Sequence, residues 1–142
     1  MGSIKKIKGY KVPRTATHST REIEETFRPV ARHILLKLES FGNIVDGPNY
    51  QGTPFDFLGK KDGQIYLIEM KASKSYFHLP KETQKIRLKE IRRKIPGLKI
   101  ALLQINGSES AYKMLYNEDY EKLLRTKRAS YDKIIEWIKE RK

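Results

Sequence analysis

Three residues of this chain carry types and spacing suited to chemistry on a charged substrate: Asp56, Glu69 and Lys71. Between the two acids lies the dipeptide Asp62-Gly63, flanked by β-prone runs at 54–61 and 64–71, and such a dipeptide is the strongest short-range hairpin signal. With a two-residue turn at 62–63, facing positions have residue numbers summing to 125, so Lys61 faces Gln64, Leu58 faces Leu67, Phe57 faces Ile68 and Phe55 faces Met70. Apolar residues meet apolar residues on both faces, which predicts a hairpin buried on both sides. The same register sets Asp56 opposite Glu69, and alternation along the strand adds Lys71 to their face. Two carboxylates directly opposite each other destabilise a sheet unless a proton or a cation compensates them. A divalent cation resolves the conflict. Oxygen donors select a hard ion, Mg²⁺ or Mn²⁺, which uses one or two carboxylates and keeps waters for a substrate. The plainer alternative is a surface hairpin whose acids are solvated, with Lys71 neutralising one of them.

Other chemistries are narrowed by composition. The chain has no cysteine, which removes disulfides, thiolate zinc sites, iron–sulfur clusters and cysteine nucleophiles together. His18, His33 and His78 show no ligand spacing. Gln84 precedes Leu88, Ile91 and Ile95 at helical intervals, so it heads the apolar face of its segment and needs a polar partner there; a capping role would also account for it.

The elements that must position these residues can be read along the chain. Residues 1–18 read as a basic, loose N-terminal arm, and residues 19–142 as one domain. From Ser19 or Thr20 to Phe41 the pattern is helical, with Ile23, Phe27, Ala31, Ile34, Leu35 and Leu38 on one stripe and Pro29 as a kink or a late start. A short strand at 43–45, a Gly- and Pro-bearing loop through Gly52 and the hairpin follow. The segment 81–95 is then a helix closed by Pro96-Gly97, 99–105 a buried strand, Asn106-Gly107 a turn and 111–115 another strand. Asn117 and Ser130 are N-cap candidates for two final helices. The resulting order, α-β-β-β-α-β-β-α-α, predicts an α/β fold with a mixed sheet flanked by helices.

Thirty Lys and Arg against seventeen Asp and Glu leave a net charge of +13 on 142 residues. A field of that sign and size calls for a polyanionic partner, although a soluble Lys-rich protein of the heat-adapted kind has similar composition. The bases cluster at the N-terminus (Lys5, Lys6, Lys8, Lys11) and around 81–99 (Lys81, Lys85, Arg92, Arg93), with Lys74 after the hairpin; these are the expected phosphate contacts, although a basic tail can equally be a solvated arm. No apolar run approaches the roughly 18 residues of a membrane helix, and the N-terminus lacks the apolar stretch of a secretory signal. A cytoplasmic protein is the expectation.

Pro54-Phe55-Asp56 followed by Ile68-Glu69-Met70-Lys71 resembles the PD-(D/E)-x-K signature of the restriction-endonuclease-like nucleases. The run from Gly63 to Ser73 is especially similar to the archaeal Holliday junction resolvase branch, and the likeness extends over about 19–124. Phe55 intervenes between Pro54 and Asp56, as is common in that superfamily, and the loop 49–53 lacks the functional serine of those resolvases. The resemblance implies a restriction-endonuclease-like core and Mg²⁺- or Mn²⁺-dependent hydrolysis of branched or duplex DNA, in recombination or repair. It implies that Asp56, Glu69 and the Met70 carbonyl ligate the metal and that Lys71 orients the attacking water or stabilises the phosphorane. It further implies an acid on the first helix, for which Glu24 lies nearest the buried stripe; a solvated helix start would account for Glu22, Glu24 and Glu25 equally well. Gln84 matches the helix glutamine that some members carry near the active site. Junction resolvases act as two-fold dimers, so a homodimer is allowed, although no interface is legible. Two other readings stand beside an endonuclease: a catalytically inactive nuclease-fold module that binds nucleic acid, and a recombination-type exonuclease, many of which carry an iron–sulfur cluster that this chain has no cysteines to hold.

Overall fold

The structure is a computed structural model, and it describes residues 3–14, 20–47, 49–50, 53–75, 77 and 82–116. The helices expected after Asn117 and Ser130, and Lys81, lie outside those residues.

At the centre is the hairpin of β5 (Phe57–Lys61) and β6 (Gln64–Ser73), joined through Asp62 and Gly63. Both turn residues have positive φ, 51° and 74°, the backbone of a type I′ turn whose twist matches the flanking strands. The ladder runs from Lys61↔Gln64 to Phe57↔Ile68 in the expected register. There it stops. The strand predicted over 54–61 is broken at Phe55 and Asp56, and the residues before the break form a small separate ladder of β3 (Asn49–Tyr50) and β4 (Thr53–Pro54). The pairs Phe55–Met70 and Asp56–Glu69 therefore do not form as ladder pairs.

Beyond β6 the chain crosses over through α2 (Glu82–Lys94) and returns as β7 (Lys99–Asn106), parallel to β6, then turns back into β8 (Ala111–Leu115). On the other side β2 (Asn43–Asp46) pairs antiparallel with β5. Residues expected to be a loose arm include β1 (Lys5–Lys6), which pairs with β8 and is followed by buried Ile7. Among the described residues this makes one mixed six-stranded sheet, in the order β1-β8-β7-β6-β5-β2.

Each face of the sheet carries one described helix. Helix α1 (Thr20–His33) accommodates Pro29 and widens at Ile34–Leu38 into a π-helical turn, closed by the Glu39 N–H donating to the Ile34 carbonyl at 2.8 Å. Its Ile23, Phe27, Val30, Ala31 and Ile34 pack on Ile68, Met70 and Ala72 of β6 and Ala101, Leu103 and Ile105 of β7. The alternate strand residues, Leu67, Ile100, Leu102 and Leu115, pack with Leu88 and Ile91 of α2. This is the period-two division that a sheet covered on both faces requires. No helix among the described residues is long and apolar enough to cross a membrane.

Candidate active site

Where β5 ends, the edge of β6 has no neighbouring strand among the described residues, and the chemistry-bearing residues gather there. In a two-residue hairpin of this register Met70 falls at a hydrogen-bonded position, where its N–H would seek the Phe55 carbonyl. It donates instead to Asp56 Oδ2, at 2.8 Å. A side-chain carboxylate thus replaces a missing ladder acceptor. The other Asp56 oxygen, Oδ1, accepts from Arg28 Nη1 at 3.1 Å, and the Asp56 carbonyl accepts from the Gly47 N–H at 3.0 Å. Since N–H and C=O of a residue at such a position point to the same side, the Met70 carbonyl faces the edge that β5 has left.

Glu69 and Lys71 flank Met70 on the opposite face of the strand, with the α2-side core. Both are buried, at 2% and 7% exposure. Glu69 Oε1 accepts from Gln84 Nε2 at 3.1 Å, which supplies the partner that a glutamine heading an apolar helix face required. Lys71 Nζ lies 4.0 Å from Glu69 Oε1 and 3.7 Å from Glu24 Oε1. Glu24 comes from α1, packed on the far face of the sheet, and it can meet Lys71 because no described strand separates the two faces beyond Phe57. Glu25, by contrast, is exposed and pairs with Arg21 at 3.4 Å.

Among the described residues, three carboxylates (Glu24, Asp56, Glu69) thus face two cations (Arg28, Lys71). The imbalance is expressed in the acids themselves. Burial pushes the Glu69 carboxyl well above the usual carboxylate range, and the neighbouring Asp56 pushes it further than Lys71 can offset. Burial also raises Glu24, with Lys71 pulling it down and Asp56 pushing it up. Glu24 Oε1 and Glu69 Oε2 are buried and have no hydrogen-bond partner among the described residues. Buried polar atoms are seldom left in that condition.

The contrast with Glu39 is informative. That carboxylate is also buried, though less deeply, and its Oε1 accepts from Tyr116 at 2.7 Å, and Oε2 from Tyr112 at 2.7 Å and Lys5 at 3.1 Å. Burial raises it, but these three donors more than compensate and leave it below its ordinary value. The same network keeps both tyrosines protonated, their hydroxyls raised by burial and by the carboxylate they serve. Glu39 is a satisfied structural acid; Glu69 is an acid with coordination left over.

As they stand, the described residues contain no group of three or more His, Asp or Glu side chains arranged to hold an ion. The available donor set is two carboxylates and a backbone carbonyl: Asp56, Glu69 and Met70. That set suits Mg²⁺ or Mn²⁺, which takes few protein ligands and retains water. The unpartnered Glu69 Oε2 is an oxygen such an ion would satisfy.

Arg28 is the residue that sequence reasoning missed. It stands four positions after Glu24, hence on the same face of α1, and that spacing was the available signal. Some expected phosphate contacts are differently engaged. Lys85 is buried at 6% exposure, on the inner side of α2 with Leu88, because a helix with few apolar residues draws long basic stems into its packing face. Lys5 is held by Glu39, and Lys6 donates to the Glu109 carbonyl at 2.8 Å. Lys8, Lys11 and Arg93 are exposed, and Lys74 and Arg92 half-buried. Compared with protein-family models the chain matches none, and compared with curated proteins it likewise matches none.

Proposed function

We propose that this protein is a Mg²⁺- or Mn²⁺-dependent DNA endonuclease with a restriction-endonuclease-like core, acting on branched DNA. The observation that carries this reading is the juxtaposition of Asp56, seated on the Met70 N–H beyond the end of β5, with buried Glu69, whose Oε2 lacks a partner. A bound divalent ion supplies Lewis acidity toward a phosphoryl oxygen and acidifies water. Asp56, Glu69 and the Met70 carbonyl hold it. Lys71 contributes a fixed positive charge where negative charge grows on the phosphoryl oxygens, and its seclusion from solvent makes that charge more effective than a surface lysine's. Glu24 holds Lys71 in position, Gln84 fixes the rotamer of Glu69, and Arg28 does the same for Asp56.

A second reading is a binding module that keeps the fold without the chemistry. The Arg28–Asp56 ion pair favours it, since it neutralises one acid without a metal. The two readings part on a panel of junction, flap, duplex and single-stranded DNAs. The nuclease cleaves at least one of them with Mg²⁺ and loses cleavage, while retaining binding, in Asp56→Ala, Glu69→Ala and Lys71→Ala. Binding without cleavage across the whole panel would establish the module instead.

A further inference from the structure

Past the carboxyl ends of β6 and β7 lies a cavity of about 720 Å³. Sites for organic ligands span roughly 300–1,000 Å³. Its position is also the expected one, because open α/β sheets bind ligands beyond the carboxyl ends of their parallel strands, and β6 and β7 run parallel. Half-buried Val12 and Pro13, backed by buried Ile23 and Phe27, form an apolar floor; exposed Arg14 and Ser75 and half-buried Lys74 form the rim. One wall is fixed by backbone, with the Gly107 N–H donating to the Ser73 carbonyl at 2.8 Å and the Ser108 N–H to the Lys74 carbonyl at 2.7 Å. A Cβ at Gly107 would stand 2.8 Å from Phe27 Cζ, so the close approach of wall and floor depends on that glycine.

The cavity adjoins the carboxylate site on two sides. Ser73 lies two residues beyond Lys71 along β6, about 6–7 Å of extended chain. Ile23 directly precedes Glu24 on α1, and Phe27 lies one turn later. Two cations and hydroxyl groups above an apolar floor match a single unstacked nucleotide, whose phosphate takes the cations and whose base takes the floor. Continuous duplex keeps its bases stacked and offers nothing to that floor.

We propose that the cavity receives an unpaired nucleotide next to the scissile phosphate, which makes the substrate class branched DNA with a single-stranded arm. The proposal rests on the nuclease reading above and specifies its substrate. Its test is fluorescence anisotropy of the full chain in EDTA, comparing a forked DNA with a fully paired duplex of equal phosphate count. One accommodated base predicts a fork preference of about tenfold. Ser75→Trp, which fills the cavity from its exposed rim, and separately the Arg14→Ala, Lys74→Ala double variant bring the ratio of affinities close to one, with circular dichroism melts checking that each variant folds. Equal affinity of the wild type for fork and duplex overturns the proposal, as does a preference that survives both variants. Because EDTA removes the metal, the outcome is independent of cleavage. Fork preference without cleavage leaves the nucleotide site standing and removes the nuclease reading; metal-dependent cleavage with equal affinities does the reverse.

Discussion

Asp56 gives one oxygen to a backbone N–H and the other to Arg28, while Glu69 has one oxygen on Gln84 and the other on nothing among the described residues. Burial, and after it the repulsion from Asp56, makes Glu69 a liability in the metal-free protein. Its pKa is raised on folding, so the native state holds the proton more tightly than the unfolded chain does. Between the ordinary carboxyl range and the raised native value the native state therefore binds more protons, and stability falls as pH rises through that window. Glu24 adds to the same slope. Glu69→Gln removes the larger source of it: in EDTA near neutral pH the melting temperature should rise by about 3–4 °C per kcal/mol recovered. The variant should also lose the stabilisation that Mg²⁺ or Mn²⁺ gives the wild type. Thermal melts at pH 5 and pH 8, with and without metal, check both points; a variant less stable than wild type in EDTA at pH 8 would contradict this account of Glu69.

At the scale of elements, the site exists because a strand stops. Gly47 has a part in this: its N–H holds the Asp56 carbonyl, and a Cβ at position 47 would overlap the Phe55 carbonyl. Gly47→Ala should displace the segment that carries Asp56, removing cleavage and metal-induced stabilisation together while far-UV circular dichroism stays native. Retained cleavage in that variant would show that Asp56 is not held from this side. Gly63 has a different task, since its φ of 74° is one that L side chains adopt at a cost. Gly63→Val should destabilise by about 1–2 kcal/mol in urea denaturation, and a smaller loss would mean that the turn relaxes.

The same elements indicate what the sequence made legible. The Asp62-Gly63 turn fixed the β5–β6 register, and apolar alternation then assigned β6, β7 and β8 to within a residue or two. Gln84 was found because a polar residue on an apolar face needs a partner. The end of the ladder at Phe57 was not visible, because the strand pattern continues through Phe55 and the break arises from the tertiary contacts of Asp56 with Gly47, Arg28 and Met70. Strand β1 was hidden for a similar reason: Lys5-Lys6 has no β signal of its own and joins the sheet through pairing with β8. The π-helical turn after His33 likewise follows from packing, since Ile34–Leu38 reads as ordinary helix.

For the molecule as a whole, the net charge of +13 sets how it meets a polyanion. Affinity for DNA should fall linearly with salt on a double-logarithmic plot, because each Lys or Arg on a phosphate releases condensed counterions. Lys8 and Lys11 are exposed, unlike Lys85, so the Lys8→Ala, Lys11→Ala double variant should shallow that slope by roughly 2, about 1 per phosphate contact. An unaltered slope would move the phosphate contacts elsewhere on the surface. The central claim, that these acids and Lys71 serve phosphodiester hydrolysis, is tested most directly by single-turnover cleavage of an end-labelled branched DNA. With excess protein the wild type should cut in Mg²⁺ and not in EDTA, and Lys71→Ala should bind the same DNA but cut it at least about a hundredfold more slowly. Cleavage that persists at the wild-type rate in Lys71→Ala, or no cleavage by the wild type with Mg²⁺ or Mn²⁺, would contradict it.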